Sequence, residues 1–242
     1  MPLTPLDIVN GTFGLLFVSI SVILGFIIIL KYFKSKNINF LWVGLTWIFI
    51  TAGWWGTSIS FLVALLTGGE GLSFEMIMLL NFIPLPLGLI FWSMAFTNFL
   101  YEEKRKTFLI GIGIYLIIFY VVFLYFLFTD PIIIGEKVSP VDTKGNSAIL
   151  IVFVVIFIVL FLTTGVKFAL ETMRIKEDPE TNLKGKLLLL AFPSFCIGGF
   201  LDASIPTTAL TLIIFRLILI SSAIEFYGGF VLPNWMKKHL LR

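Results

Sequence analysis

The chain of 242 residues is too apolar to be an ordinary soluble domain. Hydrophobic residues make up 59% of it, charged residues only 13%, and Phe alone occurs 27 times, whereas a soluble domain carries about 25% charged residues. Together with a mean hydropathy of +1.06, this composition places the chain in the membrane class and excludes disorder, a disulfide scaffold, a coiled coil and a soluble enzyme. One Cys and one His also exclude an internal disulfide and a His/Cys metal cluster.

Seven apolar runs follow one another along the chain, separated by charged or turn-forming residues. Each is long enough for a membrane-spanning helix, which needs about 20 residues. We predict an all-α integral membrane protein, a seven-transmembrane-helix bundle that forms a single domain over residues 1–242. The predicted spans are about 8–31, 39–67, 74–100, 107–129, 148–170, 186–205 and 208–231. Pro84 and Pro86 lie inside the third run and predict a kink there.

Basic residues are distributed unequally between the two sides that these spans define. One side holds Lys31, Lys34, Lys36, Lys104, Arg105, Lys106, Lys167, Arg174, Lys176, Lys184, Lys186, Lys237, Lys238 and Arg242. The other side holds only Lys137 and Lys144. Because the loops on the cytoplasmic side carry the excess of Lys and Arg, we predict that the N-terminus is outside and the C-terminus inside. The net charge of +3 then follows from topology and gives no reason to expect nucleic-acid binding.

Groups suited to catalysis are scarce inside the predicted spans. The single His, His239, lies in the C-terminal tail, and no pair of spans offers two intramembrane Asp residues. We therefore predict a non-enzymatic protein without a metal or other cofactor. A retinal-binding protein would need a Lys in the last span, and residues 208–231 contain none.

Ionisable residues inside the spans are costly in lipid and are therefore candidates for function. Arg216 lies in the seventh run near mid-membrane, and Asp202 lies within its reach near the outer end of the sixth. Lys167 in the fifth run has about the same depth as Glu225 in the seventh. We predict two structural ion pairs, Asp202–Arg216 and Lys167–Glu225. The alternative at Arg216 is a site for an anion or a proton.

The stretch 53–58, Gly-Trp-Trp-Gly-Thr-Ser, predicts a polar layer beside an aromatic wall at a similar depth. Trp usually prefers the membrane interface, yet these two Trp residues lie near the middle of a span and are flanked by Gly. The candidate ligand site consists of Arg216, Asn81, Trp54, Trp55, Thr57 and Ser58, with Cys196 beside them. Ordinary helix packing, with polar residues joining helices, is the competing explanation.

The C-terminal stretch carries a resemblance to a known class of protein. It reads Phe215-Arg216, then Ser221-Ser222, Glu225 and Tyr227, followed by Leu232-Pro233, Trp235 and Lys237-Lys238. It resembles the last helix and exit segment of the seven-helix membrane sensor domains that precede histidine kinase modules in prokaryotes. The resemblance implies a sensor in a prokaryotic plasma membrane. Because the sequence ends at Arg242 without a kinase module, we expect a separate signalling partner on the inner side.

Three functional classes remain open from the sequence. The first is a non-enzymatic sensor or receptor-like protein that binds a small or lipidic ligand between its helices. The second is a small transporter or permease that uses the same polar layer as its substrate path. The third is a structural subunit of a membrane complex, in which the Phe-rich outer face would contact a partner rather than the lipid bilayer.

Overall fold

The computed structural model describes residues 3–175, 178–205 and 208–241. Within them the fold is all-α apart from one short hairpin, and seven helical segments are long and apolar enough to cross a membrane. The prediction of an all-α fold with seven helical segments able to span a membrane is thereby confirmed, whereas their membrane insertion and orientation stay predictions. Lys176 and Arg242, two of the basic residues on which that orientation depends, lie outside the described residues.

The described residues form eleven helices, and two of the spans consist of two helices in series. The elements are α1 (Pro5–Ser35), α2 (Ile38–Ile50), α3 (Trp55–Thr67), α4 (Phe74–Phe82), α5 (Leu85–Leu100), α6 (Arg105–Thr129), α7 (Pro131–Ile134), β1 (Gly135–Lys137), β2 (Thr143–Gly145), α8 (Ala148–Met173), α9 (Pro179–Ser204), α10 (Ala209–Val231) and α11 (Asn234–Leu240). Helices α2 and α3 form the second span, and α4 and α5 form the third.

Two helices begin earlier than the apolar runs predict, because polar caps start them. Thr4 and Asp7 form a reciprocal capping box before α1, with the Asp7 N–H donating to Thr4 Oγ1 at 3.1 Å. The Asp178 carboxylate accepts from the Glu180 N–H at 3.0 Å, so α9 begins at Pro179, well before the predicted residue 186. A capping carboxylate or hydroxyl satisfies N–H groups at a helix start wherever it lies relative to the membrane.

Two spans are interrupted near their middle. A 3₁₀ turn, Thr51–Trp54, separates α2 from α3. The third span breaks where Pro84 and Pro86 predict a kink, because proline lacks the N–H that would continue the helix. The Tyr120 hydroxyl of α6 donates to the freed Ile83 carbonyl at 2.7 Å, so this buried acceptor is satisfied from a neighbouring helix.

Helix α10 packs against α9 on one side and α1 on the other, and α1 continues the layer to α2 and then α5. Helices α1 and α2 cross at close range. A Cβ atom on Gly44 would lie 2.6 Å from the Gly25 carbonyl oxygen, a distance that no side chain tolerates. Glycine at both positions therefore lets the two backbones meet, as is common between membrane helices.

A β-hairpin covers one end of the bundle, which we name the hairpin end. Strands β1 and β2 pair antiparallel, with Gly135 opposite Gly145. The connecting tip is inserted against α3: Ser60 Oγ donates to the Pro140 carbonyl at 2.5 Å, and Val141 is fully buried beside Phe61. The opposite end of the bundle, which carries the lysines of the loops on the predicted inner side, is named the basic end.

Candidate functional site

The guanidinium of Arg216 lies at the centre of a buried polar cluster near the hairpin end. Arg216 is seven residues into α10, or about 11 Å along the helix, and only 4% of the residue is exposed. Its Nη2 lies 3.2 Å from Asp202 Oδ2 of α9 and donates to Asn10 Oδ1 of α1 at 3.1 Å. The structure thus brings together Arg216 and Asp202, and it adds a third helix to the contact.

Trp54 completes this cluster because the 3₁₀ turn ends at it. Its indole N–H donates to Asp202 Oδ2 at 2.7 Å, and its ring lies under the Arg216 guanidinium at 5.6 Å. The ring also meets Phe17 of α1 edge-on at 5.0 Å. One carboxylate oxygen therefore accepts from the indole N–H and forms an ion pair with the guanidinium, and four chain segments meet at this ion pair.

Two nitrogen atoms of the same guanidinium are buried without a partner. Neither Nε nor Nη1 of Arg216 has a hydrogen bond within the part of the chain that the structure describes. Nη1 borders a recess of methyl size beside Gly14, where an added Cβ would already make ordinary van der Waals contacts, 3.4 Å from Ser58 Oγ and 3.9 Å from Nη1. A buried donor without an acceptor costs about 1–3 kcal/mol, so this recess is suited to a molecule that brings an acceptor oxygen.

The hairpin tip encloses the cluster from the outside and brings further carboxyl groups. The side chain of Ser139 interacts with the Asp7 carboxylate at the start of α1. Asp142 lies within electrostatic reach of Asp202, Arg216 and Asp7. Burial raises the pKa of Asp142, and the neighbouring Asp202 carboxylate acts in the same direction. The buried Arg216 cation therefore interacts with two carboxyl groups, Asp202 and Asp142, and Asp142 in turn lies near Asp7 under the hairpin.

The remaining residues of the predicted ligand site are divided by the structure. Ser58 and Thr57 border the recess beside Gly14. Asn81 faces away from it: its amide oxygen accepts from the Gly56 N–H at 2.7 Å. Trp55 packs against Phe49, with ring centroids 5.9 Å apart. Cys196 belongs to the main aromatic core.

The predicted Lys167–Glu225 pair is wrong. Lys167 is exposed on α8, with its amine 4.9 Å from the centroid of the Tyr101 ring. Glu225 accepts instead from Ser221, one turn earlier on its own helix, at 2.7 Å. Equal depth did not imply adjacency, because α9 packs against both α8 and α10 and separates them along most of their length.

Sequence reasoning missed three residues of the cluster: Asn10, Asp7 and Asp142. Asn10 and Asp7 lie in the first turns of α1, three residues apart and hence on one helix face. That spacing was available from the sequence as a polar face at the start of an apolar run. No comparable signal existed for Asp142, since only the fold of the hairpin brings it back over the bundle.

Comparison of the chain with protein-family models, with curated proteins and with solved structures finds no match.

Proposed function

We propose that this chain is a non-enzymatic, receptor-like membrane protein that binds a small polar ligand between helices at Arg216. One observation carries the proposal. A guanidinium at 4% exposure keeps Nε and Nη1 without acceptors among the described residues, next to a recess of methyl size beside Gly14 and Ser58 that the ligand would have to widen. Buried polar atoms are usually satisfied, and among the unsatisfied ones within the described residues only Arg216 carries a full positive charge with two open donors.

The charges around the recess favour a neutral or zwitterionic ligand. An acceptor oxygen, such as a carboxylate or an amide carbonyl, would complete the planar donor set of Arg216. A ligand with net negative charge would face the carboxyl groups of Asp7, Asp142 and Asp202, which act on the same region. A small amino acid or amide satisfies both conditions, because its second polar group is neutral or positive.

The same contacts supply a way for binding to change the protein. A ligand arriving from the hairpin end must displace the tip, which is held by Ser60 at Pro140. At the site it meets Arg216, whose partner Trp54 ends the 3₁₀ turn between α2 and α3. If the 3₁₀ turn has two conformations and the ligand contacts one of them better, binding would raise the population of that conformation. A separate signalling protein at the basic end, as the resemblance implies, would detect that shift.

The alternative is a small transporter, and the two interrupted spans favour it. Discontinuous helices near mid-membrane commonly form substrate sites in secondary transporters. Here the interruptions lie at Thr51–Trp54 and at Ile83–Pro84. The Arg216 cluster adjoins the first of them through Trp54.

A fluorescence experiment separates these functions. A fluorophore is attached at Ser35→Cys, an exposed position at the basic end, in a variant whose native Cys has been replaced. We expect a saturable change in its emission when one member of a panel of amino acids and small amides is added. Arg216→Lys should weaken that response strongly, because an ammonium lacks the planar donor fork.

Proteoliposome uptake assays with the same panel complete the test. A response without uptake supports the receptor, whereas uptake abolished by Arg216→Lys supports the transporter. An Arg216→Met variant that folds and responds like the native protein would contradict both.

A further inference from the structure

A cleft opens at the basic end, far from the Arg216 cluster. It lies between the starts of α2 and α9 and the ends of α5, α8 and α10, and its volume is about 320 Å³. Ligand sites have volumes of about 300–1,000 Å³. Its inner wall is apolar, formed by Phe40, Val43, Phe99, Leu100, Phe168 and Phe230.

Two lysines lie at or near the rim of this cleft. Lys184 lines it directly. The Lys31 amine donates to the Phe230 carbonyl at 3.4 Å and lies 4.7 Å from the centroid of the Phe40 ring. The two amines are close enough to repel each other. None of the ion pairs within the described residues involves either of them.

The nearby acidic side chains are already engaged elsewhere. Glu171 pairs with Arg174 at 2.7 Å, and Glu180 pairs with Lys237. Asp178 accepts from the Thr181 hydroxyl at 2.5 Å and caps the start of α9. Within the described residues, the rim therefore carries two lysines that form no salt bridge, although Asp178 attracts Lys184 from a distance and Glu171 lines the cleft beside its apolar wall.

We propose that this cleft binds an anionic amphiphile, with its phosphate or carboxylate between Lys31 and Lys184 and its hydrocarbon chain against the Phe wall. An anion placed there relieves the repulsion of the two amines and gains charge-assisted hydrogen bonds. The chain removes apolar surface from water. Both amines lie at an end of the spans, where lysines meet the head groups of anionic lipids, so the occupant is a lipid of the adjoining leaflet. This site does not depend on the function proposed at Arg216.

The test uses decyl phosphate as the probe and the full chain purified in a neutral detergent. We expect a saturable rise in Tm with decyl phosphate. Inorganic phosphate, which lacks the chain, and decanol, which lacks the charge, should each act at least ten-fold more weakly. Lys31→Gln and Lys184→Gln should each lower the affinity for decyl phosphate about five-fold, because a lysine near an anionic head group contributes about 1 kcal/mol.

Lys34→Gln and Lys186→Gln serve as matched controls. They remove the same charge from exposed positions on the same two helices, outside the cleft, and should leave the affinity unchanged. An equal loss in these controls would show that the probe senses only overall charge and would overturn the proposal. Phosphate or decanol matching decyl phosphate would overturn it as well. Lys184 is half-buried at the rim, so its Gln variant remains a valid test if the Lys31 variant fails to fold.

A second measurement identifies the source of the amphiphile. The native protein and the Lys31→Gln, Lys184→Gln double variant are reconstituted in nanodiscs of phosphatidylcholine with phosphatidylglycerol, extracted again and analysed by mass spectrometry. Phosphatidylglycerol retained by the native protein and lost from the double variant supports a bilayer lipid. Equal retention by both proteins would overturn the assignment to a bilayer lipid. If decyl phosphate still binds the native protein more tightly than the double variant, the occupant is then a soluble amphiphile.

Discussion

Removing one partner of the Arg216–Asp202 pair should affect stability unequally for the two residues. Asp202→Asn leaves a guanidinium whose side chain is 5% exposed without its counter-ion, and breaking a buried pair in this way costs about 3–5 kcal/mol. Arg216→Met leaves a carboxylate that is 14% exposed and still accepts from the Trp54 indole at 2.7 Å. Because that change also removes an expensive buried cation, we expect it to cost only about 1–2 kcal/mol.

The double variant should lose little more free energy of unfolding than Arg216→Met alone. Once a methionine side chain replaces the cation, an amide at position 202 still has an oxygen for Trp54. The coupling energy between the two positions is then about 2 kcal/mol or more, above the maximum of about 1.7 kcal/mol measured for polar contacts in a membrane bundle.

The assay is reversible unfolding of the purified protein in mixed micelles with increasing SDS, with a double-mutant cycle over the four proteins. Tryptophan fluorescence follows the transition, since Trp54 lies in the cluster. Additive effects, or an Asp202→Asn variant that is more stable than Arg216→Met, would refute the reasoning from unequal burial.

Three further predictions concern topology, packing and pH. With the native Cys replaced, Glu136→Cys on the exposed hairpin should react with an impermeant maleimide added to whole cells. Ser35→Cys at the basic end should react only after permeabilisation, and the reverse pattern would invert the predicted orientation. Gly44→Ala should lower stability by about 1–3 kcal/mol in the SDS assay because the added Cβ has no room. Gly113→Ala, whose added Cβ would have no atom within 4 Å, should be neutral or slightly stabilising. Equal effects of the two substitutions would contradict the close crossing. Burial raises the pKa of Asp142, so its charged form destabilises the fold above that pKa. Asp142→Asn should therefore raise Tm at neutral pH, and this gain should disappear as the pH falls below the ordinary carboxyl range. A gain in Tm that is independent of pH would show that the charge is not responsible.

The spans were predictable because hydropathy alone fixes them, as a helix in lipid must satisfy its own backbone and cover it with apolar side chains. Their starts were not, because caps such as Asp178 are polar and lie outside the apolar runs. The interruption at Pro84 was visible in the sequence, since proline cannot donate. The 3₁₀ turn at Thr51–Trp54 contains no proline, so no comparable signal marked it in the sequence.

The site was predictable in part for the same reason. Arg216 had to find a partner because a lone cation is expensive in a membrane, and Asp202 was the nearest carboxylate by depth. Depth, however, says nothing about which helices are neighbours. It therefore placed Lys167 beside Glu225, two residues that do not meet, and it gave no sign that Asn10 of the neighbouring α1 accepts from Arg216.

The hydrogen bond between the Asn81 amide oxygen and the Gly56 N–H joins the two interrupted spans mechanically. Gly56 lies in the first turn of α3, where the preceding break leaves N–H groups without partners in their own helix, and Asn81 lies in the last turn of α4, just before the other break. Bending at either break must move both spans together or sacrifice a buried bond of 2.7 Å, at a cost of about 1–3 kcal/mol. The two breaks therefore bend together as a single hinge rather than as two independent hinges.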